Sequence, residues 1–190
     1  MFEDEDWIKK TLIGGVVALI PVVNFAALGY LVQVIRNVRD GRALPLPEWD
    51  QFGEFFKSGL FLALIYLVYL IPIIILSCVQ GGVPMLMESM GSDETAAVLG
   101  ILVTCVGCVM GVWGLLVGIL FPAILVRFAE FGTFGSGFQF GEIFAIVKAN
   151  IGSYIIIVLL MWVAQGIIAP LGIILCVVGV IFTIFWSYLV

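Results

Sequence analysis

Few side chains in this sequence have the type and spacing to do chemistry. Cys105 and Cys108 form a Cys-x-x-Cys, and on a helix they share a face. That spacing suits a dithiol redox pair or half of a metal site. A tetrahedral zinc site needs four ligands, and the sequence has no His. Cys78 and Cys176 would complete a four-thiolate set only if packing gathered all four; in apolar surroundings each reads as a small hydrophobic residue. The lack of His also removes the usual haem and chlorin ligand, the usual general base and the His-dependent triads. No glycine-rich phosphate loop lies between a strand and a helix. The expectation is a protein that is not an enzyme, with no catalytic residue, no metal site and no cofactor.

The remaining polar groups of the apolar stretches are Asn24, Gln33, Ser77, Thr104, Ser153, Gln165 and Thr183. Asn24 and Gln165 are the costliest to bury, and are expected to hydrogen-bond across helices; the alternative is that they line a small polar path. Arg127, at a span end, is expected to reach back to lipid phosphate.

The elements that position these groups follow from the distribution of charge. Of the 190 residues, 63% are hydrophobic and 11% charged, with a mean hydropathy of +1.26. A soluble domain carries about twice that share of charge. The 8 basic and 13 acidic residues fall in five zones: Glu3–Lys10, Arg36–Lys57, Glu88–Glu94, Arg127–Glu130 and Glu142–Lys148. Between them lie continuous apolar runs, without the alternation of a membrane β-barrel. The acidic start, Glu3 to Asp6, does not resemble a signal peptide and reads as a solvated tail. Net charge is −5 and no basic stripe suits nucleic acid.

These runs predict five spans: Leu12–Ile35, Ser58–Val79, Ala96–Val126, Ile151–Ile168 and Leu171–Val190. The third, about 46 Å long if helical throughout, must tilt, project or bend near Pro122. The first contains Gly14, Gly15, Pro21 and Asn24. Its length favours a kinked crossing, the expectation adopted, whereas the basic residues favour a re-entrant hairpin turning at Pro21–Asn24. The loop Gln80–Thr95 has no Lys or Arg, so it is expected outside, with Arg36–Lys57 and Arg127–Lys148 cytoplasmic. Re-entry would place all basic residues on the cytoplasmic side.

Two pieces predict amphipathic helices in the membrane interface. In Leu46–Lys57, Trp49, Phe52 and Phe56 share a face and act as interfacial anchors. Phe138–Phe144 repeats the local pattern, Phe52-Gly-Glu-Phe-Phe56 against Phe140-Gly-Glu-Ile-Phe144, which suggests a parallel internal repeat. The third span carries Gly100, Gly107, Gly111, Gly114 and Gly118 within an arc of about 60°, a face on which another helix can approach closely.

The segments Trp7-Ile-Lys-Lys-Thr-Leu-Ile-Gly-Gly15, Ile20-Pro-Val-Val-Asn24, Gly29-Tyr30 and above all Leu46-Pro-Glu-Trp-Asp50, followed by Gly53 and Gly59, carry a resemblance. They resemble the polytopic membrane proteins of the domain-of-unknown-function family numbered four thousand and thirteen. The motif positions are Gly14, Pro21, Asn24, Gly29, Tyr30, Pro47, Trp49 and Gly59. The specific motifs cover the first third of the chain; the rest matches in hydropathy and in the Phe-Gly-Glu-Ile-Phe piece. The resemblance implies a short polar tail after the last span, where this sequence ends in apolar residues at Val190. It implies no activity.

The expected architecture is all-α, a polytopic transmembrane helical bundle in one membrane domain over 1–190. Residues 1–57 supply the N-terminal span and interfacial helix, 58–126 a helical hairpin, and 127–190 an interfacial segment and second hairpin. The expected location is the cell membrane, with basic loops cytoplasmic. The expected role is a non-catalytic accessory or packing component of a membrane assembly, with lipid and other membrane chains or itself as partners. The alternative is a small oligomeric transporter or channel.

Overall fold

The computed structural model describes residues 6–90 and 93–164, together with Gly166 and Phe185. Among these there is no strand. The helices are α1 (Trp7–Leu19), α2 (Phe25–Arg39), α3 (Phe52–Met90), α4 (Asp93–Phe131), α5 (Phe140–Ala149) and α6 (Ile151–Val163), with 3-10 turns at Trp49–Gln51 and Phe134–Phe138. Gln165, Cys176, Thr183 and the span expected over Leu171–Val190 lie outside the described residues.

Among the described residues, two helices are long and apolar enough to cross a membrane, over Trp49–Val83 and Ala97–Phe131; counting the bent pair α5–α6 as one span makes three. That is fewer than the five expected, of which the last lies outside the described residues. The largest correction is the first stretch. Leu12–Ile35 is not one helix, because Pro21 forces the residue before it out of the helical region: Ile20 has φ −83° and ψ 115°. Helix α1 therefore stops at Leu19, and the chain turns through Val22, whose φ of +73° is strained for a β-branched residue. The resulting helices, about 20 and 22 Å long, are each too short for a ~30 Å hydrocarbon core.

The loop expected over Gln80–Thr95 is also shorter than the charges suggested: α3 runs through Gly81, Gly82 and Pro84 to Met90, and α4 begins at Asp93. Nor is Leu46–Lys57 a separate interfacial helix. After the 3-10 turn, Phe52 opens α3 itself. The second interfacial piece is a discrete helix, α5, which meets α6 at 98° across Asn150.

Contacts divide the chain into two compact units, Met1–Ile65 with Pro122–Val190, and Tyr66–Phe121. The core of the first gathers Val17, Ala26, Ala27, Tyr30, Leu46, Phe55 and Phe185. In the second, side chains that donate to main-chain carbonyls tie α3 to α4, among them Trp113 Nε1 to Tyr69 (2.9 Å) and Gln80 Nε2 to Val103 (2.8 Å). Tyr66 packs on Phe121, ring centroids 4.6 Å apart.

Candidate functional site

The motif Leu46–Asp50 lies where α1 and α2 come together. Pro45 and Pro47 deprive this segment of backbone donors and hold it extended, so its carbonyls need partners from elsewhere. Three successive carbonyls find them on the hairpin. Pro45 accepts from Asn37 Nδ2 (2.8 Å), Leu46 from Lys10 Nζ (3.4 Å) and Pro47 from the Tyr30 hydroxyl (3.0 Å). Lys10 is only 5% exposed and also pairs with Glu48 at 2.7 Å. The Trp49 indole stacks on Tyr30 at 4.4 Å and donates to the Lys10 carbonyl (3.0 Å).

This latch fixes the geometry of the N-terminal region. In one straight helix Lys10 and Tyr30 would stand about 30 Å apart. Both instead touch Trp49, so α2 folds back along α1 and Pro21–Asn24 form the tip. Pro21 and Asn24 are exposed there.

Helix α2 then crosses α3 in backbone contact. A Cβ at Gly59 would collide with the Phe25 carbonyl, and one at Gly29 with the Phe55 carbonyl. Gly14 makes room for the Phe185 ring. Of the motif positions, Gly14, Gly29, Tyr30, Pro47, Trp49 and Gly59 thus serve one packing unit, while Pro21 and Asn24 shape its turn. Of the proposed anchors, Trp49 is half-buried in this unit. Phe56 packs edge-on to Phe25 at 6.1 Å, and Phe52 stays exposed.

The glycine face of α4 is different. Nothing lies within 4 Å of a Cβ at Gly100, Gly111 or Gly118; Gly107 meets only Gln80 Nε2 (3.5 Å) and Gly114 only the Ile73 side chain (3.9 Å). No helix of the described chain uses that face for close backbone approach. Cys105 and Cys108 are exposed free thiols, Thr104 bonds back to the Gly100 carbonyl, and Gln33 bonds Asn37. Among the described residues no group of His, Cys, Asp or Glu is placed to hold a metal ion.

Two arginines organise the base of the long helices. Arg36 Nε donates to the Ala129 carbonyl (2.7 Å) in the last turn of α4, which ends on Gly132 at φ +67°. Burial, then Arg39 beside it, holds the Arg36 pKa below its usual value, opposed by Asp40 and Glu54. Arg127, expected to reach lipid phosphate, has partners within the chain. It donates to Gln139 Oε1 (2.8 and 3.1 Å) and Glu130 (3.3 Å) and lies 4.1 Å over the Phe131 ring. Each arginine lies five residues before a glycine with positive φ, at Gly41 and Gly132, and a 3-10 turn then leads to a helix opened by Phe-Gly-Glu. Phe55 and Ile143, equivalent in the repeated pattern, are both buried. Beside Arg36 a pocket of about 270 Å³ is lined by Glu54, Lys57, Ser58, Phe61, Phe128 and Gly132.

Spacing alone did not single out Lys10, Asn37 or Arg36. The available signal was the pair of prolines at 45 and 47, which announces carbonyls in need of donors.

Fold and site together define an all-helical protein with apolar helices of membrane-crossing length and an N-terminal hairpin latched at its base. The chain belongs to the family described as Protein of unknown function (DUF4013), whose model matches residues 13–178. No curated protein and no solved structure matches it.

Proposed function

We propose that the chain is a multi-pass protein of the cell membrane and a non-catalytic packing component of a larger membrane assembly. On this reading α3 and α4 cross the bilayer, α1–α2 dips in from the cytoplasmic side and returns, and α5 lies in the cytoplasmic interface. The observation that carries it is uncovered apolar surface: the most apolar windows of α3 and α4 are only 22% buried. Lipid or another helix must cover the rest. The open face at Gly100, Gly111 and Gly118 admits a helix at close range. The hairpin puts Lys9, Lys10 and the arginines of α2 at one end, which agrees with positive charge staying inside.

The assembly reading is tested at Gly111. A Cβ at Gly111 meets nothing within 4 Å, so Gly111→Leu should keep the parent's helical circular dichroism yet lower the mass of the detergent-solubilised complex measured by light scattering. Val112→Leu, about 100° around the helix, should leave that mass unchanged. Identical masses for both variants would remove the glycine face as an interface.

Topology is tested with single cysteines at Lys9, Ser92 and Gly135 in a background lacking Cys78, Cys105, Cys108 and Cys176. Gly135 is exposed, whereas neighbouring Ser136 is buried. An impermeant thiol reagent on intact cells should mark Ser92→Cys alone, and all three after permeabilisation. Labelling of Lys9→Cys on intact cells would mean that the first segment crosses.

A further inference from the structure

The pocket beside Arg36 holds polar side chains with hydrogen-bonding capacity to spare. Glu54 and Lys57 are one turn apart on α3, the spacing at which such residues pair on a helix. No ion pair joins them, and among the described residues neither they nor Ser58 have a hydrogen-bond partner. Arg36 spends Nε on the Ala129 carbonyl, and Nη2 lies 3.1 Å from where a Gly132 Cβ would stand, against the pocket wall. Its terminal nitrogens have no hydrogen-bond partner among the described residues. The mouth therefore offers cationic donors and a hydroxyl beside the Glu54 carboxylate, which faces Arg36 electrostatically without forming an ion pair or hydrogen bond, while Phe61 and Phe128 supply an apolar flank.

We propose that this pocket binds a phosphoethanolamine group, with Lys57, Ser58 and Arg36 on the phosphate and Glu54 on the primary ammonium. A purely anionic headgroup would compete with Glu54 for the charge of Arg36 and give the carboxylate no donor of its own. A choline group has no N–H to give it. The position suits a lipid headgroup: the first turns of α3 and the last of α4 flank the pocket, where both helices reach the interface. That placement rests on the membrane reading above.

The test uses purified, delipidated protein in detergent, with bound lipid read by native mass spectrometry. Phosphatidylethanolamine should be retained roughly tenfold over phosphatidylcholine of the same chains, the size expected for one charge-assisted hydrogen bond. Glu54→Gln should abolish that difference, and Lys57→Gln should lower retention of phosphatidylethanolamine and phosphatidylglycerol alike. Both side chains are exposed, so the variants should melt like the parent. Free O-phosphoethanolamine at millimolar concentration separates the sources: displacement of the lipid assigns the site to the soluble group, and no displacement assigns it to the lipid. Equal retention of all three lipids, or a Glu54→Gln protein that still discriminates, would overturn the proposal. Resistance to alkaline carbonate extraction, measured on the same membranes, tests the membrane reading separately.

Discussion

Adding one methyl group at Gly59 should cost about 3 kcal/mol, the upper end of what overpacking a close contact brings. The position has no slack. A Cβ there meets the carbonyl of Phe25 and the amide nitrogen of Gly29, both main-chain atoms that a rotamer change cannot move. Helix α2 must shift away from α3, and Trp49, Phe55 and Tyr30 lose their mutual contacts with it. Gly53→Ala is the matched control, since it lies on the same helix with nothing within 4 Å. It should be neutral or stabilise by about 0.5–1 kcal/mol, because Ala is the better helix former. Thermal unfolding of both variants in the same detergent reads the comparison. Equal melting temperatures would mean that the crossing is loose.

The second large effect is expected at Trp49. Trp49→Ala removes the stack on Tyr30, the edge contact with Phe55 at 5.9 Å and the donor to the Lys10 carbonyl. Truncation of a core tryptophan costs about 3–5 kcal/mol, and the partial exposure of this ring places it near 3. Trp49→Phe keeps an aromatic ring but loses the indole donor, which is worth about 1 kcal/mol. Exposed Asp50, next in the chain and without a hydrogen-bond or ion-pair partner among the described residues, should tolerate Asp50→Ala within about 0.5 kcal/mol. Protease susceptibility at the tip should rise with Trp49→Ala and stay constant with Asp50→Ala. If all three variants resist proteolysis alike, the latch does not hold the hairpin.

The sequence made the long helices legible and the hairpin only half so. Run length identifies Ser58–Val79 and Ala96–Val126 because a membrane helix needs little more than continuous apolar residues. The same measure misreads Leu12–Ile35, since hydropathy is blind to the backbone break at Pro21. The basic residues pointed the other way and agree with the observed fold-back. Periodicity grouped Trp49, Phe52 and Phe56 on one face, yet Phe52 stays exposed while Phe55 is buried beside Trp49, and spacing does not say what lies opposite. The occupant is α1–α2, and its contacts run through side chains distant in sequence. The glycine stripe illustrates a similar limit. Five aligned glycines on α4 leave their face open within the chain, whereas one glycine on each of α2 and α3 makes the close crossing. Only the resemblance marked Gly29 and Gly59, because an isolated glycine has no period to detect.

The latch also constrains how the protein is made. Lys10 and Tyr30 leave the ribosome well before Glu48 and Trp49, and α1 and α2 are each too short to stop in a bilayer unaided. On the membrane reading proposed above, α3 is the first of the described helices long enough to integrate during synthesis, and the N-terminal hairpin would wait at the membrane surface until α3 provides the groove at Gly59. Biogenesis on that reading would run out of sequence order, the later helix entering first and the earlier hairpin inserting against it. A nascent chain stalled before Phe52 would still carry its N-terminal hairpin unanchored.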